Sequence, residues 1–179
     1  MLSTEERKSI IALIHSQVLP AIGCTEPIAV ALCVAKAREL LGTLPESIDI
    51  ELSANILKNA MGVGIPGTGM IGLPIAVALG AIVGRPELEL EVLQDSNKEA
   101  VERGKAYIAE DRIHISLKED APDKLYIAVK CSAGGHEAEA RIMHMHTNFV
   151  YLRKDADVML DNMAPRDCLL YTSPSPRDR

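Results

Sequence analysis

The segment GCTEP, Gly23 to Pro27, sets a thiol and a carboxylate two residues apart at the mouth of an apolar run. Pro27 suits the first turn of a helix, where its missing N–H costs nothing. Cys24 thus sits where a helix dipole and unsatisfied backbone N–H groups favour a thiolate. Glu26 opposes this by placing a negative charge beside the sulfur, and burial would oppose it too. Cys24 reads either as an ionisable group at a helix mouth or as a small core thiol. Cys33, among Ala, Leu and Val further along the run, reads as structural.

A second candidate is the glycine-rich segment GVGIPGTGMIGLP, from Gly62 to Pro74. It contains G-x-G-x-x-G in two registers, Gly62-Gly64-Gly67 and Gly67-Gly69-Gly72. A dinucleotide fingerprint needs a strand before the first glycine, whereas ANILKNAM upstream looks helical, and Pro66 and Pro74 interrupt the turn. What remains is a nest of backbone N–H groups near the start of a helix at Leu73, with the Thr68 hydroxyl, Lys58 and Asn59 beside it, suited to a carboxylate or phosphate. A tight crossing of packed backbones is the alternative. The glycine and proline density predicts no regular structure before Leu73.

Three histidines come late, His136, His144 and His146, and a strand would place the last two on one face. Glu137 and Glu139 are the only acids close by, so the choice lies between a metal site and a polar outer face of a sheet.

These residues need elements to position them. Ser3 to Glu6 forms a capping box ahead of a helix carrying Ile10, Ile11, Ile14 and Val18, stopped by Pro20. Thr25 or Glu26 caps a second helix running to Leu41, before Gly42. Ser47–Leu52 alternates as a strand, and Asn55 to Ala60 reads as a short helix. Glu87 to Asp111 reads as helix, broken around Asp95 to Asn97. Four β-like runs follow, beginning at Ile113, Leu125, Glu137 and Asn148, with turn signals at Pro122 and Gly134-Gly135. The fold class is α+β: amino-terminal helices with a glycine-rich turn, then a mainly antiparallel sheet.

Composition narrows the function. With 47% hydrophobic and 25% charged residues the chain should fold, and its 179 residues suit one ordinary domain or one domain with a small appendage. A net charge of -6 and 3% aromatic residues argue against a nucleic-acid partner. The longest apolar run, Met70 to Gly84, is too short to span a bilayer. The start lacks the features of a secretory signal, which predicts a cytoplasmic location. The four cysteines match no zinc-ligand spacing and are expected as free thiols. The last dozen residues, CLLYTSPSPRDR, break the pattern. They read either as a disordered tail or as translated sequencing-adaptor sequence foreign to the protein. We therefore divide the chain into residues 1–167, the amino-terminal part of something longer, and 168–179, a non-native or disordered tail.

Taken together, GCTEPIAVAL, LSANILKNAMGVGIPGTGMIGLPIAVALGAIVG and HTNFV resemble the amino-terminal part of the L-cysteine desulfidase family, relatives of the iron-sulfur-dependent L-serine dehydratases. The resemblance runs from about Leu2 to about Leu160. It implies a carbon-sulfur lyase of L-cysteine catabolism: L-cysteine loses sulfide to give aminoacrylate, which hydrolyses to pyruvate and ammonia, with a 4Fe-4S cluster as Lewis acid. It implies Cys24 as the acceptor of the substrate α-proton. Thr25, Glu26, Lys58, Asn59, Gly67, Thr68, Gly69, His146, Thr147 and Asn148 are the matching candidates for substrate binding. A cluster needs three or four thiolate ligands, and Cys131 and Cys168 match none of the family motifs, so the ligands are expected outside this chain. The expected partners are a small amino-acid substrate and the missing carboxy-terminal part of the same protein, with homo-oligomerisation left open. The fragment alone is expected to be inactive. The rival from another class is a non-catalytic module that binds an amino acid or carboxylate.

Overall fold

The computed structural model describes residues 2–17, 20–21 and 23–163. The expected tail at 168–179 lies outside the described residues. Among them the α+β reading holds: helices lead, and a six-stranded mixed sheet, antiparallel in all but one pairing, follows.

Helix α1, Thr4–Gln17, opens with the expected capping box. Ser3 N donates to Glu6 Oε2 at 2.7 Å and Glu6 N to Ser3 Oγ at 3.2 Å. Helix α2, Thr25–Leu41, ends on Gly42 in the left-handed conformation at φ 85°, where glycine costs least. Its N-cap is Cys24, rather than Thr25 or Glu26 as the sequence suggests, and the Cys24 side chain makes no capping bond. Strand β1, Ser47–Leu52, buries Ile48, Ile50 and Leu52 and turns Asp49 and Glu51 outward, the period-two pattern of a half-buried strand. Helix α3, Ala54–Ala60, follows directly.

The glycine-rich segment is more regular than its composition predicts. Strands β2, Gly64–Ile65, and β3, Met70–Ile71, pair antiparallel as a small hairpin. The left-handed residues are delegated to Gly67 and Gly69, at φ +76° and +66°, which lets the intervening turn close. Helix α4, Leu73–Ile82, then a 3-10 turn at Pro86–Glu91, and helix α5, Lys98–Ala109, complete the crossover to strand β4, Ile113–Leu117. The expected break before residue 98 is real: Asn97 caps α5, its Oδ1 accepting from Ala100 N at 2.9 Å.

Strands β5, Tyr126–Ala133, β6, His136–Met143, β7, Phe149–Lys154, and β8, Asp157–Asp161, form a meander. Sheet order is β4-β1-β5-β6-β7-β8, with β1 and β4 parallel and the remaining pairs antiparallel. β8 has no counterpart among the four expected runs. One face of the sheet, built on Ile127, Val129, Cys131, Ala138, Ala140 and Ile142, packs against α2. Helix α4 lies against α2, and α5 against α4. No described helix is long and apolar enough to cross a membrane.

The run of α2 over the sheet decides where Cys24 goes. Cys33 Sγ donates to Ala140 O at 3.2 Å, and Lys154 Nζ donates to Leu41 O at 3.5 Å. Lys154 pairs with Ala138, so α2 ends above the start of β6 and begins toward its finish at Met143. Met143 pairs with Tyr126, whose carbonyl accepts from Ser53 N at the head of α3. The starts of α2 and α3 and the β6–β7 turn therefore share one end of the sheet.

Candidate functional site

Cys24, Thr25, Glu26 and Asn59 come together at that end. Cys24 Sγ donates to Glu26 Oε2 at 3.0 Å, and Thr25 Oγ1 donates to the same oxygen at 3.2 Å. Asn59 Nδ2, from the last turn of α3, donates to Glu26 Oε1 at 3.3 Å. Glu26 is the hub, and both its oxygens accept. Its three donors, chiefly the Cys24 thiol, hold its carboxyl below the usual carboxylate range. The reciprocal effect falls on the sulfur: the bond to Glu26, then burial, raises the Cys24 pKa. A thiolate ready-made by the helix dipole is thus not the resting form. The pair rests as thiol and carboxylate, because an adjacent carboxylate that accepts the S–H outweighs partial charges at the helix mouth.

The glycine hairpin stands against this pair. Gly23 has φ +94°, and a Cβ there would lie 2.8 Å from Pro66 Cγ. Only glycine allows the chain to enter α2 this close to the turn. Gly72 plays the matching part at the far end of the hairpin, at φ +90°, where a Cβ would approach Met61 O to 2.9 Å. Cys24 is half-buried and beside the glycine turn.

The nest anticipated here is thinner than the sequence suggests. Thr68 Oγ1 donates to Ile65 O at 2.7 Å and accepts from Met70 N at 2.9 Å, so the hydroxyl closes the turn. Thr68 N donates to Ile65 O and Gly72 N to Val63 O. Gly67 and Gly69 are exposed, and a Cβ on either would meet open space, so their requirement is conformational. Lys58 is exposed beside Asn59, and no ion pair among the described residues includes it.

The histidines do not form a metal site. His136 opens β6, and its Nδ1 lies 2.9 Å from Asp155 Oδ2. His144 follows the end of the same strand, about 26 Å away at ~3.3 Å per residue. His144 and His146 are in the β6–β7 turn and not on a strand, which overturns the expected shared face. Among the described residues no three His, Cys, Asp or Glu side chains converge on a metal position. Asn148 also has a local duty, its Nδ2 donating to Met143 O at 2.9 Å. His146 and Thr147 are half-buried in the same turn, at the Cys24 end of the sheet.

Sequence reasoning missed one residue pair. Asp123 Oδ2 lies 2.7 Å from His144 Nδ1, while Asp123 Oδ1 accepts from Leu125 N at 2.7 Å. His144 adopts φ +68°, and its Nε2 is buried with no hydrogen-bond partner. The turn signal at Pro122, next to Asp123, is legible in the sequence, but pairing across the open end of the β5–β6 hairpin is not.

Cys33 and Cys131 are fully buried, and burial pushes both thiols up, Cys131 to about 12. Both are core residues, as the sequence reading had Cys33.

The chain is similar to proteins that carry the name UPF0597 protein. One from Bacteroides fragilis is 66% identical over 160 residues, which cover 89% of this chain and 37% of the relative. One from Bacteroides thetaiotaomicron is 67% identical over 156 residues, covering 87% and 36%. One from Phocaeicola vulgatus is 58% identical over 168 residues, covering 94% and 39%. The chain thus spans little more than a third of the length of these relatives. No protein-family model matches it. No solved structure matches it either.

Proposed function

We propose that this chain is the amino-terminal portion of an amino-acid lyase that eliminates sulfide from L-cysteine, the remaining portion being supplied by a longer protein. The reading is carried by one observation: a cysteine and a carboxylate share a proton at a helix mouth, 3.0 Å apart, beside a glycine hairpin. Elimination requires a base for the α-proton, and a thiol is such a base once its own proton has moved.

The pair offers a route for that proton. On this reading the S–H proton passes from Cys24 to Glu26, the thiolate so formed accepts the substrate α-proton as the carbon–sulfur bond breaks, and the Glu26 proton goes to the departing hydrosulfide, which restores the thiol–carboxylate pair and releases hydrogen sulfide. Asn59 and Thr25 hold the Glu26 carboxylate in place for that exchange. His146 and Thr147, at the same end of the sheet, are the remaining side chains we assign to the substrate.

An iron-sulfur cluster would supply the Lewis acid in such a reaction. The described residues do not fit one: no three potential ligands converge, and Cys33 and Cys131 are buried core thiols. On this reading the cluster ligands belong to the part of the protein that this chain lacks. The chain by itself is then inactive.

The test is made on the uninterrupted gene product, reconstituted with iron and sulfide without oxygen. Sulfide and pyruvate should form from L-cysteine, and Cys24→Ala should abolish turnover while the cluster absorbance persists. Absence of sulfide release from the wild-type protein would end the lyase reading, and absorbance lost in the variant would make Cys24 a ligand instead of a base.

A further inference from the structure

Helix α1 turns apolar side chains to solvent. Every side chain described from Leu2 to His15 is exposed, and none of α1 enters either hydrophobic core cluster. Yet it carries Ile10, Ile11 and Ile14, 42%, 54% and 52% exposed. At positions i, i+1 and i+4 these three fall within one face of the helix. A helix of 14 residues is marginal in water without packing, so its sequence is written for a surface it meets elsewhere.

The core beneath does not supply that surface, since α2 already covers the inner face of the sheet, with α4 packed on α2 and α5 on α4. A second copy of the chain is a poor candidate. Three isoleucine side chains offer roughly 200–350 Å² of apolar surface, against about 800 Å² per partner in a stable complex of separate chains. A patch this small suffices when the partner is tethered, because a covalent link replaces affinity with effective concentration. The relatives provide such a partner: more than half of each lies outside the region this chain matches.

We propose that the Ile10–Ile11–Ile14 face of α1 docks onto the carboxy-terminal part of the same, longer polypeptide. The proposal rests on continuation of the chain and not on lyase chemistry, so it stands or falls separately from the function proposed above.

Hydrogen exchange by mass spectrometry tests it, on the 179-residue chain and on the product of the uninterrupted reading frame. In the longer protein the α1 amides should be protected at least about tenfold more than in the short chain. Ile10→Glu with Ile14→Glu should remove that gain while amides of β1, β5 and β6 keep theirs, which separates undocking from unfolding. Equal exchange of α1 in both proteins overturns the proposal. So does protection in the short chain that grows with its concentration, the signature of a second copy, and so does a reading frame that stops after Arg179.

Discussion

Cys24 and Glu26 face each other across 3.0 Å at the first turn of α2, the thiol donating and the carboxylate accepting. The arrangement inverts the usual expectation for a cysteine at a helix mouth. Helix dipole and backbone N–H groups favour the thiolate, but they act as partial charges. A full negative charge in direct contact favours the thiol, and the net direction is upward.

Removing that charge should therefore expose the dipole. Glu26→Gln is expected to lower the Cys24 pKa and to raise its alkylation rate by iodoacetamide at neutral pH by about tenfold or less. Cys33 and Cys131 are buried and should stay silent, and a Cys168→Ser background makes the assay report one thiol. An unchanged rate-against-pH curve would mean that Glu26 does not control the sulfur.

Gly23 carries the contact between the site and the hairpin. Gly23→Ala must relieve a 2.8 Å approach to Pro66 Cγ and hold alanine at φ +94°. A cost of about 1–3 kcal/mol is expected from the strain. The hairpin should also shift, changing the Cys24 alkylation rate. Gly62→Ala, where a Cβ meets nothing within 4 Å, serves as the control and should leave both stability and alkylation near wild type.

The elements with strong periodicity or punctuation were legible from sequence: the capping box at Ser3, the apolar body of α2, the alternation of β1, and the Gly134-Gly135 turn between β5 and β6. The cap of α2 was expected one or two residues late, at Thr25 or Glu26, because cysteine is not a capping type, and here it caps by backbone alone. The β2–β3 hairpin was hidden because each strand is two residues long, too short for any period to appear. β8 was missed for a related reason. DVMLD follows a tight Asp155-Ala156 turn and keeps most of its side chains exposed, so no buried face marks it. For the site, the proximity of Cys24 and Glu26 follows from spacing alone. The reach of Asn59 to Glu26 across 33 positions, and of Asp123 to His144 across 21, is tertiary and leaves no local trace.

Gly80 marks where α4 crosses α2. A Cβ at Gly80 would lie 2.6 Å from Ala31 O, a backbone atom that cannot turn aside. Alanine is favoured over glycine in a helix by about 1 kcal/mol, but separating two packed helices costs more. Gly80→Ala should thus be a net loss of about 1–3 kcal/mol in urea unfolding. A stabilised variant would show that α4 can move off α2 freely.

The buried thiols and Tyr107 make alkaline pH a specific hazard for the fold. Cys131 is pushed from 9.0 to about 12 by burial, Cys33 is raised in the same direction, and Tyr107 rises from 10.0 to about 12, also chiefly by burial. Tyr107 keeps its hydroxyl proton on Pro45 O at 2.7 Å. For a group whose folded pKa is raised, the stabilisation is complete below the unfolded value and is lost as pH climbs through the folded one. The window is therefore about pH 9 to 12, and a three-unit rise corresponds to about 4 kcal/mol for Cys131. Urea midpoints should be flat from about pH 7 to 8.5 and then fall steeply. In a Cys24→Ala background, which removes the third thiol with a raised pKa, Cys131→Ala paired with Cys33→Ala should move the onset toward pH 10, where the unfolded tyrosine begins to ionise. A decline that starts at the same pH in the double variant would show that the thiols do not drive it.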